Sequence, residues 1–205
     1  METPEEFAAC DCFIFDLDNT LYNEEDFLRF VYDKIGTFVY EKEHLEPADV
    51  SDFLTAEFKT SGRENIFQKL NARFNLKIDV AEYLSIMRSS AAKGIGLYDI
   101  YYKIFAQLKR TGVKIFVLTN GNLLQQQNKI KSINWMGFDR DIKFYFAEEY
   151  APKPDAEAIN KILRENNSVT TKTLFIGDSK SDHDCAVKAG VSFMYSYDFE
   201  KRWKM

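Results

Sequence analysis

The stretch Cys12-Phe13-Ile14-Phe15-Asp16-Leu17-Asp18-Asn19-Thr20-Leu21-Tyr22 carries an apolar run that is followed at once by two carboxylates. The run Phe13–Phe15 predicts a short buried strand. Because strand residues two apart point to the same side, we expect the side chains of Asp16 and Asp18 to converge on one small volume. Two like charges placed that close repel each other unless a cation or a raised pKa relieves them. An acidic turn after a strand is the plain alternative for this motif taken alone.

A pair of converging carboxylates has two uses in phosphate chemistry. A hard divalent ion such as Mg2+ prefers oxygen ligands, so Asp16 and Asp18 form a candidate metal site. One carboxylate can also attack phosphorus while the other moves a proton. The stretch therefore favours metal-assisted phosphoryl chemistry, and the rest of the chain must supply the groups that bind the phosphate.

The composition is that of an ordinary soluble globular protein. The 205 residues are 45% hydrophobic and 29% charged, which is enough for one large domain or one domain with an insert. The formal net charge of −5 disfavours a nucleic-acid surface, because such a surface needs a basic face. No apolar run approaches the ~20 residues that a membrane span requires. We therefore expect neither a nucleic acid nor a membrane as a partner, and the oligomeric state is left open.

The cysteines and the N-terminal segment bear on the cellular compartment. Cys10, Cys12 and Cys185 are an odd number without a zinc-like pair, so we expect reduced thiols. The acidic segment Met1–Glu6 lacks the basic start and apolar middle of a signal peptide. Both observations favour a cytoplasmic protein.

Residues 24–92 differ from the rest of the chain, since apolar residues recur there at helical spacing and strands are nearly absent. The pattern predicts one helix over 24–42 and three shorter helices after it. Pro47 stands where the second of these helices can begin, and Asp79 is a plausible N-cap for the fourth. The segment therefore reads as a small helical bundle that is inserted after the first strand.

From residue 98 onward, apolar strands alternate with helices, which is typical of a parallel α/β sheet. The predicted strands of this region are Val113–Leu118, Lys143–Ala147, Thr173–Ile176 and Val191–Tyr195. In such sheets, ligands bind beyond the carboxyl ends of the strands. Polar residues follow three of the predicted strand ends, at Asp16, Thr119 and Asp178. We therefore expect these residues to meet at one edge of the sheet.

Three further polar segments fit a phosphate site at that edge. Thr119-Asn120-Gly121 offers a hydroxyl and backbone N–H groups where a strand turns into a helix, whose N-terminus favours anions. Lys153 lies between two prolines and offers an ammonium on a stiff support, as phosphoryl chemistry requires. The spacing of Asp178 and Asp182 fits one direct metal ligand and one hydrogen-bond acceptor, which could orient Lys153 or a metal-bound water. Taken singly, each has a plainer explanation, namely an ordinary turn, a solvated lysine and a helix cap.

Taken together, these segments resemble the four motifs of the haloacid dehalogenase superfamily. The motifs are, in order, Phe15–Leu21, Leu118–Gly121, Lys153-Pro154 and Ile176–Ser179 with Asp182. The resemblance covers essentially the whole chain. It implies a Rossmann-like parallel-sheet core made of residues 1–21 and 96–205, with an inserted helical-bundle cap domain of the first type at residues 22–95.

The resemblance also implies a role for each residue of the motifs. Asp16 would be the nucleophile and a Mg2+ ligand. Asp18 would act as general acid and then base, and would bind the metal through its backbone carbonyl. Lys153 would neutralise charge on the nucleophile and the phosphate. Asp178 would bind Mg2+ directly, with Asp182 behind it or hydrogen-bonded to the lysine. The substrate phosphate would be bound by Thr119, Asn120 and Gly121.

The function that the resemblance implies is Mg2+-dependent hydrolysis of a small phosphorylated metabolite, of nucleotide or phosphosugar type, through an aspartyl-phosphate intermediate. A phosphosugar mutase needs the same residues. A non-catalytic phosphate-binding regulatory module is the alternative from another class, and such a module is expected to lose a nucleophile or a metal ligand, whereas this chain keeps both. The candidate contacts to the leaving group are Tyr22, Asn23, Lys59, Arg63 and Lys93, although charges at such positions are commonly solvated.

Overall fold

A parallel β-sheet forms the centre of the fold in the computed structural model, which describes residues 3–204. In chain order the strands of this part of the chain are β1 (Cys12–Phe15), β2 (Ile95–Gly96), β3 (Lys114–Thr119), β4 (Ile133–Asn134), β5 (Ile142–Phe146), β6 (Thr173–Gly177) and β7 (Ser192–Tyr195). The sheet has the strand order β5–β3–β1–β6–β7, and its neighbours pair in parallel. The predicted parallel α/β architecture is confirmed.

The helices begin and end largely where the sequence signals them. They are α1 (Glu24–Glu43), α2 (Pro47–Ser61), α3 (Ile66–Phe74), α4 (Val80–Ser89), α5 (Asp99–Thr111), α6 (Leu123–Ser132), α7 (Glu157–Glu165), α8 (Lys180–Ala189) and α9 (Ser196–Lys204). Pro47 occupies the first turn of α2, and the Asp79 carboxylate accepts a hydrogen bond from the Ala81 N–H at the start of α4. Within residues 3–204, no helix combines the length and the apolar character that crossing a bilayer requires.

Strand β1 is buried over its whole length because helices cover both faces of the sheet. On one face, the ring of Phe15 packs edge-on against Phe105 of α5 and Phe199 of α9, at centroid distances of 5.4 and 5.8 Å. On the other face, Ile14 belongs to a buried cluster that includes Ile159 of α7. Burying a large apolar side chain contributes about 1.5–3 kcal/mol, so this packing firmly fixes the end of the strand.

Helix α9 is not predicted by the sequence pattern, in which the strand ending at Tyr195 is the last strand. Two buried residues one turn apart, Phe199 and Trp203, anchor the helix against Phe7. The other residues of the helix are mostly polar. A stripe of two apolar residues is too short for a periodic signal, so only the packing against distant aromatic rings reveals this helix.

The chain divides into two compact units, which we call the core unit and the helical unit. The core unit contains the sheet and consists of the described residues up to Asn23, Gly96–Gln126 and the described residues from Ile133 onward. The helical unit consists of Glu24–Ile95 and Gln127–Ser132. Its second segment lies beyond the bounds 22–95 predicted for a cap. The predicted outer bounds at residues 1 and 205 lie outside the described residues, and the role of the helical unit as a cap stays a prediction.

The helical unit buries an apolar stripe and, unexpectedly, a lysine. The stripe recurs at helical spacing along α1 and includes Phe27, Val31, Ile35 and Val39. Lys129 is fully buried, and its ammonium pairs with the carboxylate of Glu24, which the guanidinium of Arg63 also binds. A buried ammonium is tolerated only with such a partner, so these three residues form one structural group.

Candidate active site

The carboxyl ends of three neighbouring strands bring polar groups to one edge of the sheet. Asp16 directly follows β1, Thr119 is the last residue of β3, and Asp178 directly follows β6. Both β3 and β6 pair with β1. The N–H of Asp16 donates to the carbonyl of Ile176 at 2.8 Å, which holds the start of the Asp16 segment against β6. The three polar residues therefore lie on the same edge, as the strand pattern predicts.

Lys153 joins two of the predicted carboxylates. Its ammonium lies 2.5 Å from Oδ1 of Asp16 and 2.6 Å from Oδ1 of Asp182, and it also donates to the carbonyl of Leu118 at 3.3 Å. Only 3% of the Lys153 side-chain surface is exposed. The lysine is therefore not the solvated surface charge that its loop position would ordinarily suggest. It is a buried cation held between two anions.

The surroundings of Asp16 and Lys153 shift the pKa values of both groups. Burial raises the pKa of the Asp16 carboxyl to about 7. The ammonium of Lys153 lowers this pKa, whereas the nearby carboxylates of Asp182 and Asp18 raise it further. Burial alone lowers the pKa of Lys153, but the carboxylates of Asp16 and Asp182 outweigh it and raise the pKa above its ordinary value. Lys153 therefore remains a cation at neutral pH.

Three carboxylates form a cluster with the spacing of a metal site. Single oxygen atoms of Asp16, Asp178 and Asp182 all lie within 4.8 Å of one another. Burial, together with the charges of Asp182 and Asp18, raises the pKa of Asp178 to about 6. Carboxylates that repel one another in this way are relieved by a hard divalent cation, so the donor set fits such an ion. The cluster brings Asp16 and Asp178 together as predicted and adds the carboxylate of Asp182.

The two carboxylate oxygens of Asp182 have different partners. Its Oδ2 accepts hydrogen bonds from the Ser179 N–H at 3.1 Å and the Ser179 hydroxyl at 2.6 Å, which completes a capping box at the start of α8. Its Oδ1 faces Lys153. The N-cap of α8 is Ser179, so Asp182 supports the cap from the third position of the helix and does not form the cap itself, and it is also the partner of the lysine.

The side chain of Asn120 is bonded to the backbone of Lys153. The role of Asn120 in binding phosphate oxygens stays a prediction. The Asn120 NH2 group donates to the Lys153 carbonyl at 2.9 Å, and the Lys153 N–H donates back to the Asn120 Oδ1 at 2.9 Å. This paired contact ties the lysine loop to the end of β3, so Asn120 helps to place the ammonium.

Gln126 is a neighbour of the predicted phosphate site that the sequence pattern does not reveal. Its side chain is buried, and its Oε1 accepts a hydrogen bond from the Thr119 hydroxyl at 3.0 Å. Gly121 has a φ of +117°, and a Cβ at this position would lie 2.7 Å from Nε2 of Gln126. The positive φ therefore favours glycine at 121, and any side chain there would also displace the end of the Gln126 side chain.

The sequence suggests Tyr22 as a contact to the leaving group. In the structure its ring is fully buried, and its hydroxyl donates a 2.6 Å hydrogen bond to Oδ1 of Asp18. Asp18 itself is half-buried. The Tyr22 hydroxyl therefore contacts the carboxylate of Asp18, and the buried ring of Tyr22 leaves little surface for substrate contact.

A sequence comparison identifies the family. The family model of haloacid dehalogenase-like hydrolases matches residues 13–195. This chain belongs to that family. The match spans all four motif segments, so the family predicted from the motifs is confirmed. A comparison with curated protein sequences found no significant match for this hydrolase.

Solved structures of similar fold include hydrolases of the same family. The proposed HAD-hydrolase YfnB from Bacillus subtilis, bound to magnesium, has a TM-score of 0.65 at 17% identity and covers 91% of this chain and 86% of its own. A proposed phosphoglycolate phosphatase from Lactobacillus plantarum has a TM-score of 0.57 at 21% identity, and the match covers 95% of this chain and 90% of the phosphatase chain. CbbY from Rhodobacter sphaeroides, in complex with phosphate, has a TM-score of 0.57 at 17% identity, and the match covers 91% of this chain and 85% of the CbbY chain. At these identities the likeness shows the fold.

Two of the three basic residues suggested as anion contacts in this hydrolase have carboxylate partners within the helical unit. Lys59 lies 3.1 Å from Glu25, and Arg63 binds the Glu24 carboxylate. Lys93 is exposed. The ion pairs of Lys59 and Arg63 match the ordinary behaviour of charges on helical surfaces, so the structure gives no added support to these residues as substrate contacts.

Proposed function

We propose that this hydrolase cleaves phosphomonoesters of small metabolites, with Mg2+ held by the carboxylate cluster and Asp16 forming an aspartyl phosphate. The observation that carries the proposal is the buried ammonium of Lys153 between Asp16 and Asp182, with Asp178 in the same cluster. A carboxylate nucleophile, a fixed cation and oxygen ligands for a divalent ion are the parts that phosphoryl transfer to a carboxylate needs.

In the first step, an oxygen of Asp16 attacks the phosphorus atom and forms a new P–O bond. The bond between phosphorus and the ester oxygen breaks, and its electron pair stays on the leaving oxygen. Asp18 donates a proton to that oxygen, so the leaving group departs as a neutral alcohol. Lys153 remains a cation beside Asp16 and stabilises the negative charge that gathers on the phosphoryl group.

In the second step, a water molecule attacks the phosphorus atom of the aspartyl phosphate. Asp18, now ionised, accepts the proton of that water as general base. The acyl–phosphate bond breaks, inorganic phosphate leaves, and the carboxylate of Asp16 is restored. The same carboxyl group thus gives a proton in one step and takes one back in the next, which closes the cycle.

The phosphate would lie at the end of β3, where this chain offers several donors. We assign to the phosphate oxygens the backbone N–H groups of Asn120 and Gly121, next to the N-terminus of α6, and the Thr119 hydroxyl, whose single hydrogen would turn from Gln126 to the phosphate when it binds. Mg2+, when bound by Asp16, Asp178 and the backbone carbonyl of Asp18, would offset the charge of the carboxylates and of the phosphate. The magnesium-bound structure of YfnB and the phosphate complex of CbbY support both assignments by analogy of fold.

The test is hydrolysis of 4-nitrophenyl phosphate by the purified protein with Mg2+. We expect turnover that Asp16→Asn abolishes and that excess EDTA abolishes reversibly. Asp141→Asn is the matched control, because Asp141 is exposed and pairs with Lys109 on the surface. It should keep full activity. Turnover that persists in Asp16→Asn, or in EDTA, would contradict the proposed roles.

A panel of phosphorylated metabolites with a phosphate readout then identifies the substrate class. The panel should contain nucleoside monophosphates, sugar phosphates and phosphoglycolate. A hydrolase releases inorganic phosphate from at least one member of the panel. Conversion of a hexose phosphate without net phosphate release would identify a mutase instead, and binding without turnover would identify a regulatory module.

A further inference from the structure

The hydrogen bond between Tyr22 and Asp18 joins the proposed acid and base to a fully buried ring. The Tyr22 hydroxyl donates to Oδ1 of Asp18 at 2.6 Å, and no part of the Tyr22 side chain is exposed to solvent. The backbones of the two residues also form an isolated parallel bridge. A short hydrogen bond from a donor that cannot move freely fixes the torsion angle of the carboxyl group that accepts it.

The loop between the two residues is itself held in place. The N–H of Leu21 donates to the carbonyl of Leu17 at 3.0 Å, and the carbonyl of Leu21 accepts from the N–H of Tyr98 at 2.9 Å. Leu17 and Leu21 are both fully buried. Tyr22 is therefore anchored by its neighbours in the chain as well as by its ring, and the position of its hydroxyl is set by the fold of the core unit.

We propose that Tyr22 is a positioning residue for proton transfer by Asp18. The proposal rests on the proposed function, in which Asp18 protonates the leaving oxygen. Because Oδ1 accepts the Tyr22 hydroxyl, the protonated carboxyl carries its proton on Oδ2. Oδ2 then gives that proton to the ester oxygen as the P–O bond breaks, while Tyr22 keeps its own proton throughout. Tyr22 thus selects the oxygen of Asp18 that faces the leaving group.

This role predicts a loss of activity that depends on the leaving group. An alkoxide is a poor leaving group and needs the proton from Asp18, whereas 4-nitrophenolate departs readily without it. The kcat/KM value reports the step in which the ester bond breaks, so it is the quantity to compare. A residue that only fills space in the core would lower both kcat/KM values by the same factor.

The experiment compares Tyr22→Phe with the parent protein on glycerol phosphate and on 4-nitrophenyl phosphate. We expect kcat/KM to fall about tenfold more on the alkyl ester than on the aryl ester, as part of the factor of about 10²–10⁴ that general acid catalysis supplies. Inhibition by inorganic phosphate should be unchanged. Tyr145→Phe is the matched control, because Tyr145 is also buried and donates a 2.8 Å hydrogen bond, to Glu165. It should leave both kcat/KM values as in the parent.

A double-mutant cycle on glycerol phosphate, the ester on which the larger loss is expected, separates positioning from packing. If Tyr22 acts through Asp18, Tyr22→Phe has no further effect in a protein that already carries Asp18→Asn. Equal losses on both esters, or additive effects in the cycle, overturn the role of Tyr22 while the proposed function stands. A parent protein that hydrolyses neither ester nor any member of the metabolite panel overturns the proposed function, and the role of Tyr22 with it.

Discussion

A methyl group added at Gly177 would strike the side chain of Asp182, which pairs with Lys153. An ideal Cβ at this position lies 2.6 Å from the Cβ of Asp182 and 2.7 Å from its Cγ and Oδ2. The φ of Gly177 lies outside the left-handed region, so an alanine there is not strained by its backbone. The effect of Gly177→Ala should therefore come from this collision alone.

The size of the effect follows from the distances. Ordinary contact begins at 3.4 Å, so Asp182 must retreat by 0.8 Å. That retreat stretches the 2.6 Å contact between Asp182 and Lys153 and loosens the capping box at the start of α8. Overpacking of this kind costs about 1–3 kcal/mol of stability. A displacement approaching 1 Å in the lysine's support should lower kcat about 10- to 100-fold.

The assay is kcat on 4-nitrophenyl phosphate, with urea unfolding as the measure of stability. Gly96→Ala is the matched control, because its Cβ would meet only the hydroxyl of Tyr102 at 3.7 Å, an ordinary contact distance. We expect the control to keep the parental kcat. A Gly177→Ala protein with parental kcat would refute the reasoning that Asp182 must hold Lys153 in place.

Three further predictions concern charge and positioning. In EDTA, the free energy of unfolding should fall by about 2–3 kcal/mol between about pH 5 and pH 8. The reason is that Asp16 has a pKa near 7 in the folded protein and an ordinary pKa of 3.8, so over this range it keeps a proton that the unfolded chain has lost. Urea unfolding should show that this part of the pH dependence vanishes in Asp16→Asn. Lys129→Met should destabilise the protein by about 3 kcal/mol by removing the buried partner of Glu24, whereas the exposed Lys131→Met should change the unfolding free energy by less than about 0.5 kcal/mol. Asn120→Ala should lower kcat about tenfold, measured on the aryl ester, because the lysine loop loses both of its hydrogen bonds to this side chain.

The edge that carries the site could be predicted because it depends on short-range patterns. An apolar run followed by a carboxylate marks the end of a buried strand, as at Asp16 and Asp178. The rule that parallel strands end at one edge then places these residues together without any knowledge of tertiary contacts. The need for a fixed ammonium at Lys153 could be inferred from the chemistry of phosphate. Its burial between two carboxylates could not, because that burial depends on the packing of distant segments.

The partners of these residues could not be predicted, because they depend on contacts between distant segments. The amide of Asn120 reaches the backbone of Lys153, 33 residues away, and Lys129 reaches Glu24, 105 residues away. In the sequence, Lys129 stands in a polar helical segment and reads as a solvated charge. Gln126 is hidden for the same reason, since one glutamine on a polar helix carries no signal of its contact with a threonine.

The most direct measurement of the central claim is the identity of the residue that carries the phosphoryl group. The protein should be mixed with its best substrate and Mg2+, quenched in acid during turnover, digested and examined by mass spectrometry. The account predicts phosphate bound to Asp16 in the parent protein and none in Asp16→Asn. Phosphate found on another residue, or turnover without any phosphorylated peptide under conditions that preserve an acyl phosphate, would contradict it.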